Sequence, residues 1–294
     1  MPIFKGAGVA IVTPFKENLD VDYDRLEANI NYQIDNGTDC IVIAGTTGEG
    51  STLTEAEHME VVKAAVDFTK KRVPVVAGTG SNCTRTAIML SQEAEKDGAD
   101  GLLIVTPYYN KATQAGLIAH YTAIANETKL PIILYDVPSR TGCSMAPETI
   151  AHLFKNVDNI VGLKEATGNL SHAAQTMNLC DGKLELYSGN DDQVLPMLSI
   201  GGIGVISVLS NIAPRQTHDM VMEYLNGNHA AAMKIQLDAI PLINALFREV
   251  NPIPVKAAMN KLGMGAGPMR MPLTEMSDAG KEVLFAEMQK FGLM

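Results

Sequence analysis

Short apolar runs rich in Val and Ile recur along the chain, and polar or helically spaced stretches separate them. In order they are AGVAIVTPF (7–15), CIVIAGTTG (40–48), VPVVAGTGS (73–81), GLLIVTPYY (101–109), PIILYDVPS (131–139), NIVGLKEAT (159–167), LELYSGND (184–191) and GGIGVISVLS (201–210). Most are continuous rather than alternating, the pattern of strands buried on both faces of a parallel sheet. Helical spacing marks, among others, 22–37, 54–71, 84–98 and 146–156. Thr54 followed by Glu57 forms a capping-box pattern, Gly37 and Gly98 stand where a helix-ending glycine belongs, and Pro147 suits a first helical turn. Strand–helix repeats of roughly 30 residues, with no GxGxxG in the first, predict a closed (β/α)8 barrel over an open dinucleotide-binding sheet. Beyond residue 210 no further strand is evident, and 214–226, 228–250, 252–262 and 274–291 read as helices. The expected division is a barrel over 1–225 carrying the active site and a C-terminal helical extension over 226–294.

Composition narrows the function classes. A formal charge of -10 argues against a nucleic-acid surface, which needs clustered Lys and Arg. No apolar run reaches the roughly 18 residues of a membrane span, and the start, MPIFKGAGVAIVTPF, lacks the basic and long apolar regions of a secretion signal. Cys40, Cys83, Cys143 and Cys180 are scattered, without metal-ligand spacing, which fits a reducing cytoplasm. His58, His120 and the other histidines also lack metal-like spacing and are expected to be surface or satisfied polar residues.

In a barrel of this kind the active site lies at the C-terminal ends of the strands. The runs end there in GTTGEG, GTGSN, TPYYN, YDVPSRTG, KEATGN and SGND. Lys164 stands out because it follows the apolar run Ile160, Val161, Gly162, Leu163. Projected into the barrel mouth, its desolvated amine would lose its proton more readily and attack a carbonyl to form a Schiff base. The alternative is a structural lysine paired with Glu165 or another carboxylate. Neighbours on a strand face opposite sides, so Glu165 is not expected inside the barrel with Lys164. The GTTGE loop, with Thr46 and Thr47, could hold a carboxylate or phosphate, or be an ordinary capped turn. Tyr135 could relay a proton or simply pack. Arg140 could fork onto a carboxylate or be a solvated loop residue. Tyr108 and Tyr109 suit either the site or a subunit contact.

GTTGE (45–49), TPYYN (106–110), YDVPSRTG (135–142), GLKEATG (162–168), SGND (188–191) and GGIGVISV (201–208) occur in this order. Together they resemble the dihydrodipicolinate synthase family, within the pyruvate-dependent aldolases and lyases that include N-acetylneuraminate lyase, over essentially the whole chain. Arg140 after VPS is the more specific mark, because the sialic acid lyases lack it. The resemblance implies that Lys164 forms an imine with pyruvate and that the derived enamine adds to L-aspartate 4-semialdehyde. It implies that Tyr135 shuttles protons, that Thr46 links Tyr135 to a Tyr109 supplied by a neighbouring subunit, and that Thr46 and Thr47 hold the pyruvate carboxylate. Arg140 would bind the semialdehyde carboxylate, and the Ile206 carbonyl would lie near the imine. No metal or organic cofactor is implied, and the family's usual assembly is a homotetramer built from two tight dimers.

Many relatives are inhibited by lysine at a site between subunits, and Ser51, His58, Asn82 and Tyr108 match it here. Glu55 replaces a common His, however, and Thr86 replaces an acidic partner of the inhibitor's amine. Weak or absent lysine inhibition is therefore expected. Two rivals remain from the sequence. A sialic acid, sugar-acid or hydroxy-keto-acid aldolase would share Lys164 and Tyr135. A non-catalytic ligand-binding paralogue would be expected to have lost one of them.

Overall fold

The computed structural model describes residues 1–294. Eight strands pair in parallel and in chain order, and the last closes on the first. They are β1 (Gly6–Ala10), β2 (Cys40–Ile43), β3 (Val75–Gly78), β4 (Gly101–Val105), β5 (Ile132–Asp136), β6 (Ile160–Glu165), β7 (Glu185–Ser188) and β8 (Gly204–Ser207). The connections carry α1 (Tyr23–Asp35), α2 (Glu55–Thr69), α3 (Thr84–Lys96), α4 (Gln114–Ala125), the one-turn α5 (Pro138–Thr141), α6 (Pro147–Asn156), α7 (Leu170–Leu179), α8 (Val194–Ser199) and α9 (Pro214–Leu225). Three helices follow: α10 (His229–Leu246), α11 (Ile253–Lys261) and α12 (Asp278–Lys290). The architecture is the (β/α)8 TIM barrel that the apolar runs predicted.

Local signals act where the sequence puts them. Thr54 and Glu57 make a reciprocal capping box on α2, and Pro147 occupies the first turn of α6. Gly37 and Gly98 follow α1 and α3 with φ of +87° and +90°, a backbone region costly for other residues. The strands are shorter than their apolar runs. β1 stops at Ala10, although the run extends to Phe15: Ile11 N–H still donates to the Val42 carbonyl, but Val12 N–H donates to Asn211 Oδ1 at 3.1 Å instead of to a strand, and the chain then turns back through an antiparallel bridge between Phe15 and Val21.

Side chains alternate across the strands, as the pleat requires. Leu134 and Leu163 point outward into the cluster shared with Leu26, Ile30, Val61, Leu117, Tyr121 and Ile150 of the surrounding helices. Ile133, Tyr135, Tyr187 and Ile206 pack in the barrel interior. A third apolar cluster joins Val205 of β8 to Met220 and Val221 of α9, Leu242 and Leu246 of α10, Val255 and Met259 of α11 and Leu284 and Met288 of α12. The last three helices thus share a core with the end of the barrel, and this contact brings the segment after α10 to the barrel mouth.

Candidate active site

Lys164 lies at the end of β6, and its ladder neighbours are Tyr135 on β5 and Tyr187 on β7. It is 6% exposed, with its Nζ 4.3 Å from the Tyr135 ring centroid. The amine makes no hydrogen bond or ion pair within the chain, which removes the structural-lysine alternative. Burial brings its pKa down from the ordinary lysine value to about 7; the charge of Asp191 opposes that fall and the charge of Arg140 adds to it. Glu165 faces outward as expected, fully buried, accepting from the Thr167 N–H at 2.7 Å and contacting His172 Nδ1 at 2.8 Å. The lysine next to it is left without a partner.

Tyr135 is buried beside the amine. Burial raises its pKa, and the nearby Arg140 charge and Thr46 side chain offset part of the rise. The GTTGE loop follows β2 through a tight turn in which Ala44 and Glu49, neither of them glycine, take φ of +55° and +52°. Thr47 is buried and its hydroxyl accepts from Asn251 Nδ2 at 3.0 Å; Thr46 stays exposed at the rim. Arg140 lies in the one-turn α5 rather than a loop, exposed, donating from one Nη to the Asn251 carbonyl at 3.3 Å. Ile206 is buried in β8.

Tyr109 does not join the pocket within this chain: it is 90% exposed, with φ of +74°. Of the positions matched to a lysine site, Ser51 is exposed, Tyr108 is exposed at the rim and Asn82 is half-buried. His58 instead turns inward. Its Nε2 lies 2.8 Å from the Gly78 carbonyl, and burial holds its pKa below the usual imidazole value. His120 departs from the expectation of a surface or satisfied residue: it is buried, with Nδ1 2.9 Å from the Thr84 hydroxyl and Nε2 without a partner.

Two residues of the mouth carried no distinct signal in the sequence. Asn251, between α10 and α11, bridges Thr47 and Arg140 and leaves its buried Oδ1 unpaired. Asp191, after β7, accepts from the Val208 and Leu209 N–H groups at 3.0 Å each, while its other oxygen is buried and unpaired. SGND marked the position of Asp191 but not this arrangement. For Asn251 the only cue was an Asn-Pro dipeptide, which signals a turn. Together the strand ends offer a desolvated, unpaired amine, an adjacent phenol, a hydroxyl loop and a guanidinium, a set fitted to carbonyl addition with proton transfer.

The model of the Dihydrodipicolinate synthetase family matches residues 3–290. The chain belongs to this family. It is 60% identical, over 100% of both chains, to the 4-hydroxy-tetrahydrodipicolinate synthase of Lachnoclostridium phytofermentans. A crystal structure of a dihydrodipicolinate synthase superposes with a TM-score of 0.96 at 47% identity, covering 99% of this chain and 100% of that one. A second, the enzyme from Cyanidioschyzon merolae with lysine bound, gives 0.97 at 41% identity over 100% of both chains. Between the family's synthases and the sugar-acid lyases that share its motifs, these likenesses favour the synthases. No helix is long and apolar enough to cross a membrane.

Proposed function

We propose that the chain condenses pyruvate with L-aspartate 4-semialdehyde, the reaction of a 4-hydroxy-tetrahydrodipicolinate synthase, through a Schiff base on Lys164. The observation that carries the reading is the state of that amine: buried, unpaired, and with a pKa near 7. The neutral amine adds to the pyruvate ketone, and loss of water gives a protonated imine. Loss of a methyl proton yields the enamine, whose carbon attacks the aldehyde. The amino group of the second substrate then adds to the imine carbon, expels Lys164 and closes the ring. Tyr135 carries the protons, Thr46 and Thr47 take the pyruvate carboxylate, Arg140 takes the semialdehyde carboxylate, and the Ile206 carbonyl lines the imine. The iminium is the electron sink, so the reaction needs no cofactor.

Thr46 and Tyr109 are both exposed in the single chain. A homotetramer in which a neighbouring Tyr109 covers the Thr46 rim accounts for that exposure. The reading extends to a cytoplasmic enzyme of lysine and diaminopimelate biosynthesis, with 226–294 as an appended helical unit. Thr86 in place of an acidic partner, and His58 engaged with a backbone carbonyl, both favour weak lysine inhibition.

Steady-state assays test the substrate assignment. The purified protein is expected to turn over pyruvate with the semialdehyde and to ignore sugar aldehydes. Arg140→Ala is expected to raise the half-saturating semialdehyde concentration by roughly 10- to 100-fold, the loss of one charge-assisted contact. Unchanged semialdehyde kinetics in that variant would refute the assignment of Arg140, and a preference for sugar aldehydes would refute the substrate pair.

A further inference from the structure

Glu49, the last residue of the GTTGE loop, holds a left-handed backbone with its carboxylate buried. One oxygen meets Lys256 Nζ of α11 at 2.8 Å, and the other accepts from the Arg270 N–H at 3.1 Å. Lys256 is 1% exposed and also donates to the carbonyls of Pro268 at 2.6 Å and Thr13 at 3.4 Å. Arg270 closes the other side, donating to the carbonyls of Thr52 and Leu19 and pairing with Glu57. Both cations lie over the Phe15 ring, with Lys256 Nζ 4.4 Å and Arg270 Cζ 4.3 Å from its centroid. Phe15 N–H in turn donates to the Ala266 carbonyl at 3.2 Å. Next to it Gly267, with φ of +71°, brings its backbone against the Phe15 carbonyl, where a Cβ has no room.

Every contact that fixes the Glu49 carboxylate therefore comes from residues more than 200 positions later. The loop that Glu49 ends carries Thr46 and Thr47, and the same distant region reaches Thr47 directly through Asn251. Burying two opposite charges rarely stabilises a fold relative to a well-packed apolar pair. Such a pair does impose one geometry, because each charge tolerates only the position that keeps its partner.

We propose that Glu49 and Lys256 are positioning residues for the α-keto acid: their buried pair holds the Thr46–Thr47 loop at the height where its hydroxyls meet the substrate carboxylate. The pair touches no substrate and acts through the loop. This role rests on the reading of the loop as the pyruvate carboxylate site.

The test is the pyruvate dependence of borohydride trapping at Lys164 in the native protein, in Lys256→Met, and in the charge-free double variant Glu49→Gln/Lys256→Met. The double variant leaves no unpaired buried charge and guards against simple unfolding. In both variants the half-saturating pyruvate concentration is expected to rise by roughly 10- to 100-fold, the scale on which supporting residues act. Half-saturation by the semialdehyde is expected to move by less than about threefold at saturating pyruvate, a split that loss of folded protein does not produce. A folded double variant that traps pyruvate with native half-saturation overturns the positioning role alone. So does an equal fall in every parameter. No adduct in the native protein overturns the reading of the site and the positioning role with it.

Discussion

Two lysines of this chain are almost wholly buried, and they behave as opposites. Lys164 lies near the end of β6 with its amine 4.3 Å from the Tyr135 ring; Lys256 lies on α11 with its amine 4.4 Å from the Phe15 ring. Burial pushes both pKa values down. The difference lies in the partners. Lys256 has the Glu49 carboxylate at 2.8 Å and two backbone carbonyls, so its charge is compensated where it sits. Lys164 has no hydrogen bond and no ion pair; Asp191, the carboxylate whose charge it feels, is bound to the backbone of Val208 and Leu209 instead. Burial alone therefore does not make a lysine nucleophilic. Burial with the counter-charge withheld does.

Substitution by methionine, which keeps the stem and removes the charge, separates the two with effects of opposite sign. Lys164→Met is expected to lower condensation by about 10³-fold or more, since no other group supplies the covalent step. The same change is expected to stabilise the fold. A lysine whose folded pKa lies near 7, below its ordinary 10.5, burdens the folded state fully below pH 7, and that burden fades as pH rises towards 10.5. Stability of the native protein should therefore increase with pH across that window, and Lys164→Met should gain most below pH 7. Lys256→Met is expected to lose about 3–5 kcal/mol, because it strands the buried Glu49 carboxylate. Denaturant midpoints read both, and equal signs would erase the distinction. Tyr135→Phe bears on the neighbour rather than on the amine. It should slow turnover by roughly 10²-fold through lost proton transfer while leaving the site of pyruvate attachment at Lys164. Loss of the adduct in that variant would make Tyr135 a structural support of the lysine.

The two lysines also differ in how far the sequence discloses them. Strand order, barrel closure and the placement of Lys164 follow from apolar runs with polar ends, a local pattern. Tyr135 and Lys164 stand one residue beyond outward-facing Leu134 and Leu163, so the pleat alone aims both inward. The contacts of Lys256 with Glu49 and of Asn251 with Thr47 join residues more than 200 positions apart and leave no periodic trace. Lys256 lies in a stretch, NPIPVKAAMNK, that reads as an ordinary helix with a polar residue. Glu49 is visible as the last letter of a motif, but its left-handed backbone and buried pair are properties of the packed molecule. The place expected for Tyr109 at a neighbouring subunit's site is not visible within one chain, because its side chain faces away from its own chain's core.

An unpaired amine that is neutral often enough to attack a ketone will reveal itself in the pH dependence of pyruvate trapping. With borohydride reduction and mass mapping, the adduct is expected on Lys164 alone, and its initial rate should rise with pH through a single midpoint near 7. A midpoint near the ordinary lysine value, or an adduct on another lysine, would contradict the account.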